Sequence, residues 1–234
     1  MPGESTQDLW EKLWDLWWFS EALWRGVDPF YTDMLFYPQG ASLLFHPLSP
    51  ASALLTLPIQ ALAGPLAAYN TLVLLSFVLG GYAVFLLAQR HGCGFSAALA
   101  GGLVYSAGAF HFNHIHLSHL ELISIQWLPL YALALDALLQ PTTDHQPPTT
   151  DASDSSSFAG RRASVIRVLL TALAMLMLIF TSLYLAMYAA LLSGIWILWL
   201  IGTALRRRSA RSLLRPVAEL GLATALALAV TGPI

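Results

Sequence analysis

The chain has 234 residues, of which 57% are hydrophobic and only 10% charged; its mean hydropathy is +0.64 and its formal net charge −2. Soluble domains carry about 25% charged residues, so this composition excludes an ordinary soluble enzyme. Clustered charges separated by long apolar runs point instead to a polytopic α-helical membrane protein, with membrane lipid as its surroundings and no nucleic-acid partner. Cys93 is the single cysteine, which excludes an intramolecular disulfide and leaves the redox compartment open.

The amino-terminal stretch is unlike the rest. Seven of the thirteen acids lie between Glu4 and Asp33, and five of the eight tryptophans between Trp10 and Trp24. It lacks the basic n-region and apolar core of a secretory signal. Leu9, Leu13, Leu16 and Trp17 fall on one helical face, which Trp10, Trp14, Trp18 and Phe19 widen into an aromatic band. Asp8, Glu11, Lys12, Asp15 and Glu21 occupy much of the remainder. Such a helix suits the headgroup layer and is too charged to span. Gly26 and Pro29 end it. Residues 28–47 contain Pro29, Pro38, Gly40 and Pro47 and are expected to be irregular but packed.

Leu48 to Ala63 is apolar but shorter than the roughly 20 residues of a span. It is read as an interfacial or re-entrant helix ending at Gly64-Pro65. Leu66–Gln89, Phe95–Phe110 and Leu122–Leu139 are read as three spans, with a polar connection over His111–Glu121. Residues 141–164, rich in Pro, Thr, Ser and Asp, are expected to form a disordered cytoplasmic loop. Val165–Ser182, Tyr184–Leu205 and Leu213–Val230 supply three more spans, the last one truncated. The fold class expected is therefore all-α: a polytopic membrane helix bundle with an amino-terminal outer-face segment of interfacial helices. Its units are residues 1–47, 48–64, 65–140, 141–164 and 165–234. The polar start and the apolar stop at Ile234 read as a fragment, with a spanning helix expected upstream.

Basic residues orient this arrangement. With Arg90, Arg161–Arg167 and Arg206–Arg215 on the cytoplasmic side, nine of eleven basic residues lie inside and only Lys12 and Arg25 outside. The orientation requires that Leu48–Ala63 not span. It brings the acidic head, the His111–Glu121 connection and the Ser182–Tyr184 turn to one outer face.

Candidate chemistry concentrates on that face. His111, His114, His116 and His119 lie within nine residues and are followed by Glu121. They can bind an anionic headgroup or substrate, or a metal, although their spacing matches no familiar zinc signature. The ordinary reading, interfacial histidines bonded to water and lipid phosphate, carries about as much weight as the others together. Among the carboxylates, Asp15 and Glu21 read as a solvated helix face. Asp8 and Asp33 are better candidates for a site, since a carboxylate near a bilayer needs solvation or a partner. Such groups could serve as a general base or hold a divalent cation beside a phosphosugar. His46, in FHPLSP, sits where prolines would fix it near the surface. Asp136 and Glu219 are expected to snorkel or pair. Ala98/Gly102, Ala97/Gly101 and Gly80-Gly81 read as helix-packing surfaces.

Several ordered blocks are familiar: DLWEKLWDLWWFSEAL, DPFYTDMLFYPQGASLLFHPLSP, GPLAAYNTLVLLSFVLGGYAVFLLAQR and GGLVYSAGAFHFNHIHLSHLELISIQWLPL. Over about residues 5–140 the chain resembles bacterial membrane proteins of the GT-C glycosyltransferase superfamily, similar to the dolichyl-phosphate-mannose–protein mannosyltransferase group. The resemblance implies an outer loop with interfacial helices and a catalytic acid early in it, which Asp8 best matches, with Asp33 the second acid. It places His46, His116 and His119, with Glu121, beside the sugar-phosphate site. It implies transfer of a sugar from a polyprenyl-phosphate-linked donor to an acceptor on the outer face of a bacterial inner membrane. The alternatives are a lipid-linked-sugar transporter or flippase and a non-catalytic membrane subunit. Sugar, acceptor, metal dependence and oligomeric state are open at this level.

Overall fold

A computed structural model of the chain describes residues 6–139, 153–206 and 211–231. It is an all-α polytopic bundle. Among the described residues, six segments are long and apolar enough to cross a membrane: Pro50–Arg90, Phe95–Leu117, Leu120–Leu139, Arg162–Thr181, Leu183–Thr203 and Leu214–Thr231. The protein is an integral membrane protein.

Helix α1 (Thr6–Arg25) contains neither Gly nor Pro and is rich in Leu, Glu and Trp; Gly26, at φ +67°, ends it. Its buried stripe runs through Lys12, Asp15, Leu16, Phe19 and Ala22, the i, i+3/i+4, i+7 spacing of a helix with one face against a core. Leu16, Trp18 and Phe19 pack there with Leu43, Leu48, Tyr69, Leu72, Leu120 and Ile123. The expected apolar face is thus rotated: Leu9, Leu13, Trp14 and Trp17 flank this core rather than forming its centre. Trp10 and Trp24 remain exposed. The connection that follows is mostly irregular, with a short antiparallel ribbon of β1 (Tyr31–Thr32) and β2 (Ala41–Ser42).

Helix α2 (Pro50–Arg90) is sharply kinked at Gly64, whose backbone (φ 81°, ψ 174°) lies in a region open to glycine. Pro65 then opens the second part, where a missing N–H is harmless. Residues 50–63 rise about 21 Å and residues 65–90 about 39 Å, so only the second part matches the roughly 30 Å hydrocarbon layer alone. The short helix read from the sequence is therefore present as a separately directed segment.

Helix α3 (Phe95–Ser106) stops at Ala107-Gly108, and α4 (Ala109–Leu117) and α5 (Leu120–Ile123) follow before α6 (Trp127–Leu139). The histidine-rich connection is thus helical rather than a polar loop. The reason is visible at His111, which is fully buried: its Nε2 is 2.8 Å from Ser76 Oγ and its Nδ1 2.8 Å from the Ser106 carbonyl. A histidine with both nitrogens satisfied can sit inside a helical bundle.

Helices α7 (Ser153–Thr181), α8 (Leu183–Arg206) and α9 (Arg211–Thr231) complete the chain. Helix α7 begins within the stretch expected to be a disordered loop. The loop's prolines, Pro141, Pro147 and Pro148, all precede Ser153, and nothing after them blocks a helix. Residues 140–152 of that expected loop lie outside the described residues. A second core joins α6 to α9, with Tyr131, Leu135, Leu178, Leu185 and Ala223 at its centre. Asp136, buried at the end of α6, pairs with Arg90 and lies 3.3 Å from His91; Glu219 pairs with Arg215 at 2.9 Å.

The α2–α3 contact depends on small residues. A Cβ placed at Gly102 would lie 2.5 Å from the Gly81 carbonyl oxygen, a backbone atom that cannot swing aside. Gly102→Val is expected to destabilise the bundle by about 1–3 kcal/mol through overpacking. Gly101→Val, where the nearest neighbour to an added Cβ is Val84 at 3.9 Å, should be much milder. Unfolding of the two variants in mixed micelles measures the difference.

Candidate functional site

One end of the bundle gathers α1, the chain around His46, and α4–α5. At its centre is Lys12, only 3% exposed. Its Nζ donates to Glu11 Oε1 at 2.9 Å, Asp15 Oδ2 at 3.3 Å and the Pro47 carbonyl at 3.3 Å, and lies 3.6 Å from Glu121 Oε2. Burial, the strongest single influence, pulls the Lys12 pKa down, but Asp15, Glu121 and Glu11 together outweigh it and the pKa ends raised. The ammonium stays charged.

Asp15 is only 1% exposed, which corrects its reading as part of a solvated face. Its Oδ1 lies 2.7 Å from His46 Nε2. That hydrogen bond raises the His46 pKa above its ordinary 6.5, against a smaller opposing effect of burial. Leu43 and Leu48, both buried, anchor the chain on either side of His46. Ser49 Oγ then donates to the Thr181 carbonyl at 3.0 Å, fastening this segment to the α7–α8 turn.

Beside Lys12, one helical turn nearer the start of α1, is Asp8. Its Oδ2 lies 3.1 Å from His119 Nε2, and His119 Nδ1 lies 3.2 Å from His114 Nδ1. With His119 carrying its proton on Nε2, it donates to Asp8 and accepts from His114 Nδ1–H, so a single tautomer assignment satisfies both contacts. The Asp8 and His119 side chains are 46% and 31% exposed, within reach of a substrate. Asp8 also sits in the first turn of α1, where the helix dipole favours a carboxylate.

A cavity of about 770 Å³ opens between residues 44–50, Glu121 and the α7–α8 turn, with His46, Ser182 and Tyr184 in its wall. The acidic head, the residues before α6 and the Ser182 turn therefore meet in one place.

The sequence-derived candidates divide accordingly. Asp8, His119, His46 and Glu121 are brought together around Lys12. His116 is exposed on α4, without a hydrogen bond or ion pair to this group among the described residues. Asp33 is exposed between β1 and β2, likewise with no such link to Asp8. Lys12, Asp15 and His114 were missed as site residues. The signal for the first two was their spacing: positions 12, 15, 19 and 22 lie on one helical face, which makes Lys12 and Asp15 partners inside a buried stripe.

The candidate divalent cation can be tested against this geometry. Ligand atoms of Glu11, Asp15 and His46 all lie within 4.8 Å of one another. However, the Lys12 ammonium already bridges Glu11 and Asp15. A divalent ion about 4 Å from that charge would meet a repulsion of about 8 kcal/mol at the effective dielectric of such sites. Lys12 thus competes with a divalent cation for these ligands.

Comparison with known protein families, curated proteins and solved structures finds no match to this chain.

Two expectations follow from the electrostatics. Lys12→Met leaves Glu121 an uncompensated buried carboxylate and Asp15 with His46 alone, and should destabilise by about 3–5 kcal/mol. The wild-type melting temperature should be indifferent to millimolar Mn²⁺. For His46, a folded pKa above the unfolded value means that its contribution to stability is complete below pH 6.5 and is lost as pH rises through the raised folded value. The difference in melting temperature between wild type and His46→Asn should therefore be largest near pH 6 and shrink towards pH 8.5.

Proposed function

We propose that the protein is a membrane glycosyltransferase of the GT-C type. It would transfer a sugar from a polyprenyl-phosphate-linked donor to an acceptor hydroxyl on the extracytoplasmic face of a bacterial inner membrane. The observation that carries the reading is the Asp8–His119–His114 chain, reachable from solvent and one helical turn from the buried Lys12 group.

The roles follow from the chemistry. His119 occupies Oδ2 of Asp8 and orients the carboxylate. Oδ1 is left to take the proton of the acceptor hydroxyl as its oxygen attacks the anomeric carbon. The bond from that carbon to the phosphate oxygen breaks, and the polyprenyl phosphate leaves with the electron pair. His114, through its contact with His119 Nδ1, fixes the tautomer in which His119 donates to Asp8. Lys12 acts through Glu11, Asp15 and Glu121, which it holds in register, and is a positioning residue.

Positive-inside orientation supports the side assigned to the site. Arg90, at the end of α2, and the basic residues flanking α7 and α8 belong to the opposite end of the bundle.

Transfer of label from a polyprenyl-phosphate sugar in membrane vesicles tests the reading. Asp8→Ala should lower the rate by about 10²-fold or more, the usual contribution of a general base. Asp33→Ala should leave it within about threefold of wild type, since nothing ties Asp33 to the site. Equal rates for wild type and Asp8→Ala would reject the proposal. Passage of the lipid-linked sugar across the vesicle with no glycosidic product would favour the transporter reading.

A further inference from the structure

We infer that the cavity between residues 44–50, Glu121 and the α7–α8 turn binds an uncharged polyol, of the size of a mono- or disaccharide, and discriminates against phosphate. The inference rests on the glycosyl-transfer reading for its biological sense: it makes the cavity, whose wall includes neither Asp8 nor His119, a holding site for the uncharged sugar portion of an acceptor rather than the place of reaction.

Size is the first consideration. About 770 Å³ lies within the range of sites that enclose small organic ligands. Unsatisfied polar atoms are the second. Thr181 and Ser182 are 2% and 7% exposed and Glu121 is 9% exposed, and all three contribute to the cavity wall. Thr181 Oγ1 and Ser182 Oγ are each buried without a hydrogen-bond partner, and Glu121 Oε2 has only the Lys12 ammonium at 3.6 Å. Buried polar atoms almost always have partners, so two orphaned hydroxyls in one wall call for a ligand that supplies them. Two hydroxyls that donate and accept, beside a carboxylate that only accepts, complement neighbouring alcohols better than any other common group.

The apolar part of the wall fits the same ligand. Phe45 and Tyr184 border the cavity and are 91% and 62% exposed. A pyranose has an apolar C–H face that packs on such rings while its hydroxyl rim meets the polar atoms.

Charge provides the discrimination. Neither Lys nor Arg lines the cavity among the described residues. His46 Nε2 is already engaged by Asp15, and Lys12 has its donors committed to Glu11, Asp15 and Pro47. Around Lys12 three carboxylates face one ammonium, so the group remains net negative even with His46 protonated. A phosphate entering here would find no free cation and would approach Glu121. A neutral polyol meets no such opposition.

Thiol labelling reads the site without requiring turnover. Tyr184→Cys in a Cys93→Ser background, reconstituted in nanodiscs free of sugar-based detergent, presents one exposed thiol at the cavity mouth. Its labelling rate would be measured with methyl glucoside, methyl mannoside or methyl galactoside at about 100 mM, and with inorganic pyrophosphate at matched ionic strength. At least one glycoside should slow labelling threefold or more, and pyrophosphate should leave the rate unchanged. The native Cys93 thiol, exposed outside the cavity, should show no protection in the otherwise unaltered chain. Adding Glu121→Gln, or separately Ser182→Ala, should remove the protection while leaving the unprotected rate intact, which also reports that the turn is folded. Protection by pyrophosphate equal to that by the glycosides would overturn the inference. So would absence of protection by every glycoside, or its persistence in both variants. Loss of protection with Asp8-dependent transfer intact would refute this assignment alone; protection with Asp8-independent transfer would refute the transfer mechanism alone.

Discussion

A single buried ammonium holds the site end of this protein together. Removing an ion from water costs several kcal/mol, and the cost is met only by close, well-aligned partners. Lys12 finds them in three separate pieces of chain: its own helix through Glu11 and Asp15, the residues after β2 through the Pro47 carbonyl, and α5 through Glu121. An apolar contact tolerates sliding, whereas this arrangement does not, because any shift of α1 by one residue would strand four charges. The rotation of α1, and hence the position of Asp8 one turn away, is fixed by that requirement.

The membrane setting explains how such a group persists. Within the bundle, helices meet through small residues and through polar atoms whose partners are internal, as at Gly81 and Gly102 and in the His111–Ser76–Ser106 group. His111 belongs to that structural class. His114 and His119, only three and eight residues further on, emerge where α4 ends and the chain turns at Ser118, which adopts a left-handed conformation (φ 61°). That turn separates a histidine that supports the bundle from two that can take part in chemistry. His116, on another face of α4, does neither.

Much of the architecture was legible from the sequence because the bilayer imposes lengths and charge asymmetries that hydropathy records directly. The six apolar segments, the break at Gly64-Pro65 and the pairing of Asp136 all follow from such rules. The details that failed were those decided by tertiary partners. Asp15 and Lys12 look like a solvated face until α5 and Pro47 are placed beside them. The histidine run looks like a polar loop until Ser76 and Ser106 satisfy His111. Helix α7 starts earlier than its composition suggests because the only strong breakers lie upstream. Of the residues marked for chemistry, Asp8, His46, His119 and Glu121 converge, while Asp33 and His116 were chosen by chemical type and local position, which cannot say where a loop or a helix face points.

The Ser49–Thr181 hydrogen bond joins residues 132 positions apart, and the Asp8–His119 contact joins residues 111 apart. The head segment is thus completed only by residues far downstream of it. During synthesis, Lys12 and Asp15 must stay hydrated at the bilayer surface until α5, and then the turn after α7, have been inserted. The exposed tryptophans of α1 suit that interval, because indole rings rest comfortably among lipid headgroups and can keep the nascent helix moored there. The contacts of this end therefore close only against the assembled bundle, which serves as the template for the head.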